Sequence, residues 1–250
     1  MRKVLVMRNR FQLLDTIRGI VLVSMIIYHT TWNLVYIYGV NWEWYKSYGA
    51  YLWQQSICWT FILLSGFCFS LGKRHLKNGL IVFGSGALVT AVTLIAMPEN
   101  RVVFGVLTCI GSATLLLTFT EKFWKNIPAE IGIIVTFVLF LLTKNINYGY
   151  LGLGGIRFIE LPSQWYSNYF TTFIGLPFGG FYSTDYFSFV PWFFLFLCGF
   201  YLYGIWNKYD FLYRKYMRKN IKVFSFLGRH SLIIYLLHQP VIYGIQELIF

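Results

Sequence analysis

Seven stretches of this chain are each about 20 residues long and predominantly apolar, enough to carry a helix across a hydrocarbon layer roughly 30 Å thick. They cover 13–38, 51–72, 79–97, 102–120, 127–143, 189–206 and 231–249. Backbone polar groups in lipid find no water, so a single segment of this kind satisfies them only by coiling into a helix. The expected fold is therefore all-α: one polytopic membrane domain over 1–250, a bundle of about seven transmembrane helices. Residues 166–178 are apolar but too short to cross, and their Gly, Pro and aromatic content suits a short interfacial or re-entrant segment. With 57% apolar residues and only 12% charged ones, the chain has too little polar surface to enclose a soluble core.

The basic residues set the orientation, because short cytoplasmic loops carry the excess of Lys and Arg. Arg2, Lys3, Arg8, Arg10, Lys73, Arg74, Lys77, Lys122, Lys125, Lys208, Arg214, Lys215, Arg218, Lys219 and Lys222 fall on one side, against Lys46, Arg101, Lys144 and Arg157 on the other. This predicts a plasma-membrane protein with a cytoplasmic N-terminus and an extracytoplasmic C-terminus. Basic loops against anionic lipid account for the +12 formal charge, and nothing points to nucleic acid. Residues 1–10 resemble a basic signal region, but the apolar run behind them is too long and lacks a cleavage site, so it is expected to remain as the first span. Cys58, Cys68, Cys109 and Cys198 all fall in spans without metal-ligand spacing and read as packing residues; no metal is expected. The longest connection, 144–188, reads as an outer lid or acceptor-binding surface.

Ionisable groups at membrane depth are costly and direct attention to function. Arg18 and His29 lie eleven positions apart in the first span, nearly three helical turns, so they share a face about 16 Å apart along the axis. Asp15, one turn before Arg18, can pair with it. Asn33, one turn after His29, reads either as a group orienting the ring or as a helix-end hydrogen bonder. In the last span Pro240 leaves the Leu236 carbonyl without its helical donor, and His238 and Gln239 stand beside it as local hydrogen-bond groups. Asp185 reads as a helix-start acid for the sixth span or as an acceptor-binding group. Trp32, Trp42, Trp44 and Trp53 read as interfacial belt residues, and His75 as a solvated loop residue.

The run Leu14-Asp15-Thr16-Ile17-Arg18-Gly19-Ile20, followed by His29 and Thr31-Trp32-Asn33, resembles the opening helix of the heparan-α-glucosaminide N-acetyltransferase-like membrane acyltransferases. Similar matches to small bacterial members are Leu64-Ser65-Gly66, Phe104-Gly105-Val106-Leu107, Ser183-Thr184-Asp185-Tyr186-Phe187 with Pro191-Trp192, Leu227-Gly228-Arg229-His230-Ser231, and Leu236-Leu237-His238-Gln239-Pro240. Many relatives carry a histidine where Thr108 stands. The resemblance implies transfer of an acyl group, typically acetyl, from cytoplasmic acyl-CoA to a hydroxyl or amine of an extracytoplasmic glycan or lipid-linked acceptor. His29, about 24 Å along its helix and nearer the outer face, would then act as general base, with Asn33 and Asp185 completing the catalytic set. Arg18 with Asp15, Lys73, Arg74, His238 and Gln239 would hold or line the way to the polyanionic donor. The sequence leaves the acceptor's identity and any oligomer open. A transporter or lipid flippase is the second reading, though repeated, interrupted span pairs are lacking. A haem protein ligated by His29 and His238 would need paired histidines on matching helices, which the chain lacks.

Overall fold

The computed structural model describes residues 11–209 and 216–250. Arg2, Lys3, Arg8, Arg10, Arg214 and Lys215, which enter the orientation argument, and the basic region 1–10 lie outside the described residues. In chain order the described residues form helices α1 (Gln12–Tyr36), α2 (Tyr48–Phe69), α3 (His75–Ala96), α4 (Val106–Lys125) and α5 (Ala129–Thr143), then strands β1 (Tyr150–Leu153) and β2 (Ile156–Glu160). Helices α6 (Tyr169–Ile174), α7 (Phe189–Lys208), α8 (Lys222–Arg229) and α9 (Ser231–Glu247) complete the order. Six helices, α1 to α5 and α7, are long and apolar enough to cross a membrane, the α5 window continuing to Tyr148. This is a polytopic helical membrane protein with almost no sheet.

Two segments differ from the simplest reading of the apolar windows. The seventh expected span, 231–249, is the 17-residue α9, with Pro240 inside it. At 1.5 Å per residue it is about 26 Å long, at the lower edge of a crossing length. The 144–188 connection is not irregular throughout: β1 and β2 pair antiparallel, with a register shift between Leu151 and Gly152. Gly154 and Gly155 turn the hairpin at φ of 58° and 91°, left-handed conformations that only glycine adopts without strain. The short segment expected at 166–178 contains α6, six residues opened by a capping box: Asn168 Oδ1 accepts from the Phe170 and Thr171 amides, and Thr171 Oγ1 accepts from the Asn168 amide.

The described residues group into two compact units, one drawn from Met1–Ile57 and Tyr209–Phe250, the other Cys58–Lys208. In the first, α1 packs along α8 and α9. Gly19 and Gly228 make the α1–α8 approach possible: a Cβ on Gly19 would meet the Phe224 carbonyl, and one on Gly228 the Asp15 carbonyl. Thr16 Oγ1 and Ser225 Oγ lie 2.7 Å apart across that contact. In the second unit α3 pairs with α4 and α5 with α7. Its core gathers Ile62, Leu117, Phe140, Leu195, Phe196, Leu197 and Tyr201. Tyr201 keeps its hydroxyl satisfied by donating to the Trp124 carbonyl at 3.0 Å.

Candidate functional site

Helix α9 buries His238, Ile242 and Gln246, spaced four residues apart, and so turns one face inward. Opposite it, α1 presents His29 and Asn33, also one turn apart. The imidazoles of His29 and His238 stand with ring centres 5.0 Å apart, tilted by 56°. A chain of amides joins His29 to the backbone of α1. Gln246 Nε2 donates to the Thr30 carbonyl at 3.1 Å. Asn33 Nδ2 donates to Gln246 Oε1 at 2.9 Å and to Gln239 Oε1 at 3.3 Å. Gln239 Nε2 in turn lies 3.3 Å from His29 Nδ1. Asn33 is 1% exposed and His238 8%, while His29 and Gln239 are half-buried. The arrangement brings a buried and a half-buried imidazole together, each with one ring nitrogen engaged, a setting suited to proton transfer.

His238 Nδ1 meets the carbonyl of Tyr235, one residue before the Leu236 carbonyl that Pro240 leaves without a donor. Gln239 does not stay local: its side chain crosses to α1. Around His29 the aromatic wall is Tyr28, whose ring lies edge-on at 5.8 Å, backed by Tyr45 and Trp53. The Tyr45 hydroxyl donates to the Tyr28 carbonyl at 3.1 Å, and burial pushes this phenol above its ordinary range, so it remains a donor at neutral pH. Trp53 Nε1 donates to Ser24 Oγ at 2.8 Å. Trp32 and Trp53 therefore pack in the unit's aromatic cluster, whereas Trp42 and Trp44 stay about half exposed, as belt residues do.

Toward the start of α1, Arg18 Nη1 lies 3.6 Å from Asp15 Oδ1, with side-chain exposures of 22% and 8%. Both charges are thus held near the α1–α8 contact, where Gly228 abuts Asp15. Lys73, Arg74 and Asp185 belong to the second unit. Lys73 and Arg74 are exposed in the turn before α3, and His75 is stacked on Phe69 at 4.0 Å, not simply solvated. Asp185 serves the start of α4: its Oδ2 accepts from the Val106 amide at 3.5 Å, and a Cβ on Gly105 would come within 3.1 Å of it. The neighbouring Thr184 amide and hydroxyl both donate to the Arg101 carbonyl, at 3.1 and 3.3 Å. Between these contacts Phe104 holds a φ of 56°, a strained value for a residue with a side chain. Thr108 is buried against Gly86 and lines an aromatic groove with Phe83, Phe104, Phe119 and Phe173.

Gln246 escapes the sequence reading, although its seven-residue spacing from Gln239 marks two turns on one face. The backbone carbonyls of Thr30 and Tyr235 leave no trace in side-chain identity. A sequence profile described as heparan-alpha-glucosaminide N-acetyltransferase, catalytic, matches residues 10–240, a stretch that includes Arg18, His29 and His238 but stops short of Gln246. No curated protein and no solved structure matches the chain. With all but the first nine and last ten residues inside that match, the chain belongs to the heparan-alpha-glucosaminide N-acetyltransferase catalytic family.

Proposed function

We propose that this protein is a membrane acyltransferase that moves an acyl group, typically acetyl, from cytoplasmic acyl-CoA to a hydroxyl or amine of an extracytoplasmic glycan or lipid-linked sugar. The observation that carries this reading is the pair of imidazoles 5.0 Å apart, one on α1 and one on α9, His29 meeting the Gln239 amide and His238 the Tyr235 carbonyl. Attack of a hydroxyl or amine on a thioester needs a group to take the attacking proton and a donor to meet the charge that develops on the carbonyl oxygen. Two facing imidazoles supply both. Arg18, positioned by Asp15, is assigned to the phosphates of the donor, a task that needs permanent positive charge. Gln239 lines the passage beside the pair, and Asn33 holds the site's orientation.

The test uses protein purified into lipid nanodiscs, supplied with radiolabelled acetyl-CoA and extracts of surface glycans or lipid-linked sugars. His29→Ala is expected to lower transfer by about 10² to 10³ while remaining folded, the scale of a lost catalytic proton-transfer or oxyanion group. A folded His29→Ala protein that transfers at the wild-type rate overturns the assignment. Solute uptake without dependence on CoA would instead mark a transporter.

A further inference from the structure

The amide chain has a direction, and that direction fixes the proton on His29. The Thr30 carbonyl can only accept, so Gln246 turns its NH2 toward it and presents Oε1 to Asn33. Asn33 answers with its own NH2, whose second hydrogen goes to Gln239 Oε1. This leaves the NH2 of Gln239 facing His29 Nδ1. An amide N–H cannot accept, so Nδ1 of His29 must, and the neutral ring carries its proton on Nε2. His238 is the reverse case. Its Nδ1 meets the Tyr235 carbonyl, which again can only accept, so the proton is on Nδ1 and the lone pair on Nε2. That Nε2 is buried and has no hydrogen-bond partner among the described residues.

We infer that His238 is the proton acceptor of the pair, and that His29 acts as a hydrogen-bond donor to the carbonyl oxygen under attack. The inference rests on the acyl-transfer reading of the same site and divides the labour within it. As the acceptor's oxygen or nitrogen bonds to the thioester carbonyl carbon, its proton passes to Nε2 of His238. The carbonyl oxygen takes up negative charge and is met by the Nε2–H of His29, which keeps its proton because a neutral imidazole is a very weak acid. The C–S bond then breaks with its electron pair on sulfur. His238 returns its proton to that thiolate, giving free CoA thiol, the acylated acceptor and a neutral His238. The acceptor for this step is an alcohol or amine.

Two measurements test the division. In bilayers containing 15N-histidine-labelled protein, solid-state NMR distinguishes the ring tautomers, and His29→Gln, His75→Gln and His230→Gln assign three of the four histidines, leaving His238. Expected are a proton on Nε2 of His29 and on Nδ1 of His238; a proton on Nδ1 of His29 overturns the inference. This readout needs no substrate, so it stands apart from failure of the acyl-transfer reading, which would show as wild-type protein without transfer. In the kinetic arm His238→Gln is expected to lower kcat at least 100-fold and abolish the acid limb of its pH profile. His29→Gln, which keeps an N–H donor, is expected to lose about tenfold and retain that limb. The other titratable groups facing the pair are Tyr28 and Tyr235, with Tyr45 behind Tyr28. Loss of the limb in His29→Gln with its retention in His238→Gln reverses the roles and sinks the proposal.

Discussion

Gln246 lies two turns from the imidazoles, yet the direction of the amide chain starts there, at its bond to the Thr30 carbonyl. Hydrogen bonds between membrane helices are worth only about 0.6 kcal/mol on average, so Gln246→Leu should cost roughly 1 kcal/mol in unfolding experiments in detergent. Its effect on transfer should be larger, about tenfold, because Asn33 and Gln239 become free to turn over. The same variant should broaden or split the 15N signals of His29, and sharp wild-type signals with unchanged kcat would show that Gln246 is only packing. The first part of this chemistry can be read from residue types: ionisable groups at membrane depth single out Arg18, His29 and His238. The rest cannot, because the decisive partners are backbone carbonyls. Proline at 240 predicts a need at Leu236, while the ring of His238 goes to Tyr235.

At the scale of elements, the α1–α8 contact depends on the absence of a side chain at Gly19. A Cβ there would collide with backbone of Phe224, which has no rotamer with which to escape. Gly19→Ala should therefore destabilise the protein by about 1–3 kcal/mol. Gly84→Ala, in α3 with nothing within 4 Å of its added Cβ, should be neutral or stabilising by up to about 1 kcal/mol. Equal melting temperatures for the two variants would count against close α1–α8 packing. Helices were the most legible elements because each span writes itself over some 20 residues. The hairpin was not: strands of four and five residues vanish in a window of that length, although Gly154-Gly155 between apolar neighbours carries a turn signal. Asp185 reads as a helix-start acid for the sixth span, yet the amide it meets is that of Val106 at the start of α4, a contact 79 positions away that local spacing does not show.

At the scale of the whole molecule, the positive-inside count predicts opposite access for two exposed positions. In a background lacking Cys58, Cys68, Cys109 and Cys198, Glu160→Cys should react with an impermeant thiol reagent applied from outside, and Asn220→Cys should not. Reversed labelling would invert the proposed direction of acyl flow. The amide chain between α1 and α9 also bears on how the protein is made. Its bonds join residues 206 to 216 positions apart, so α1 must wait in the membrane with Asn33 lacking its α9 partners until the last helix is synthesised. At about 5–20 residues per second that wait lasts roughly 10–40 s. A nascent chain cut short before α9 therefore exposes an amide and an imidazole to lipid, marking an unfinished product by the same side chains that serve the finished one.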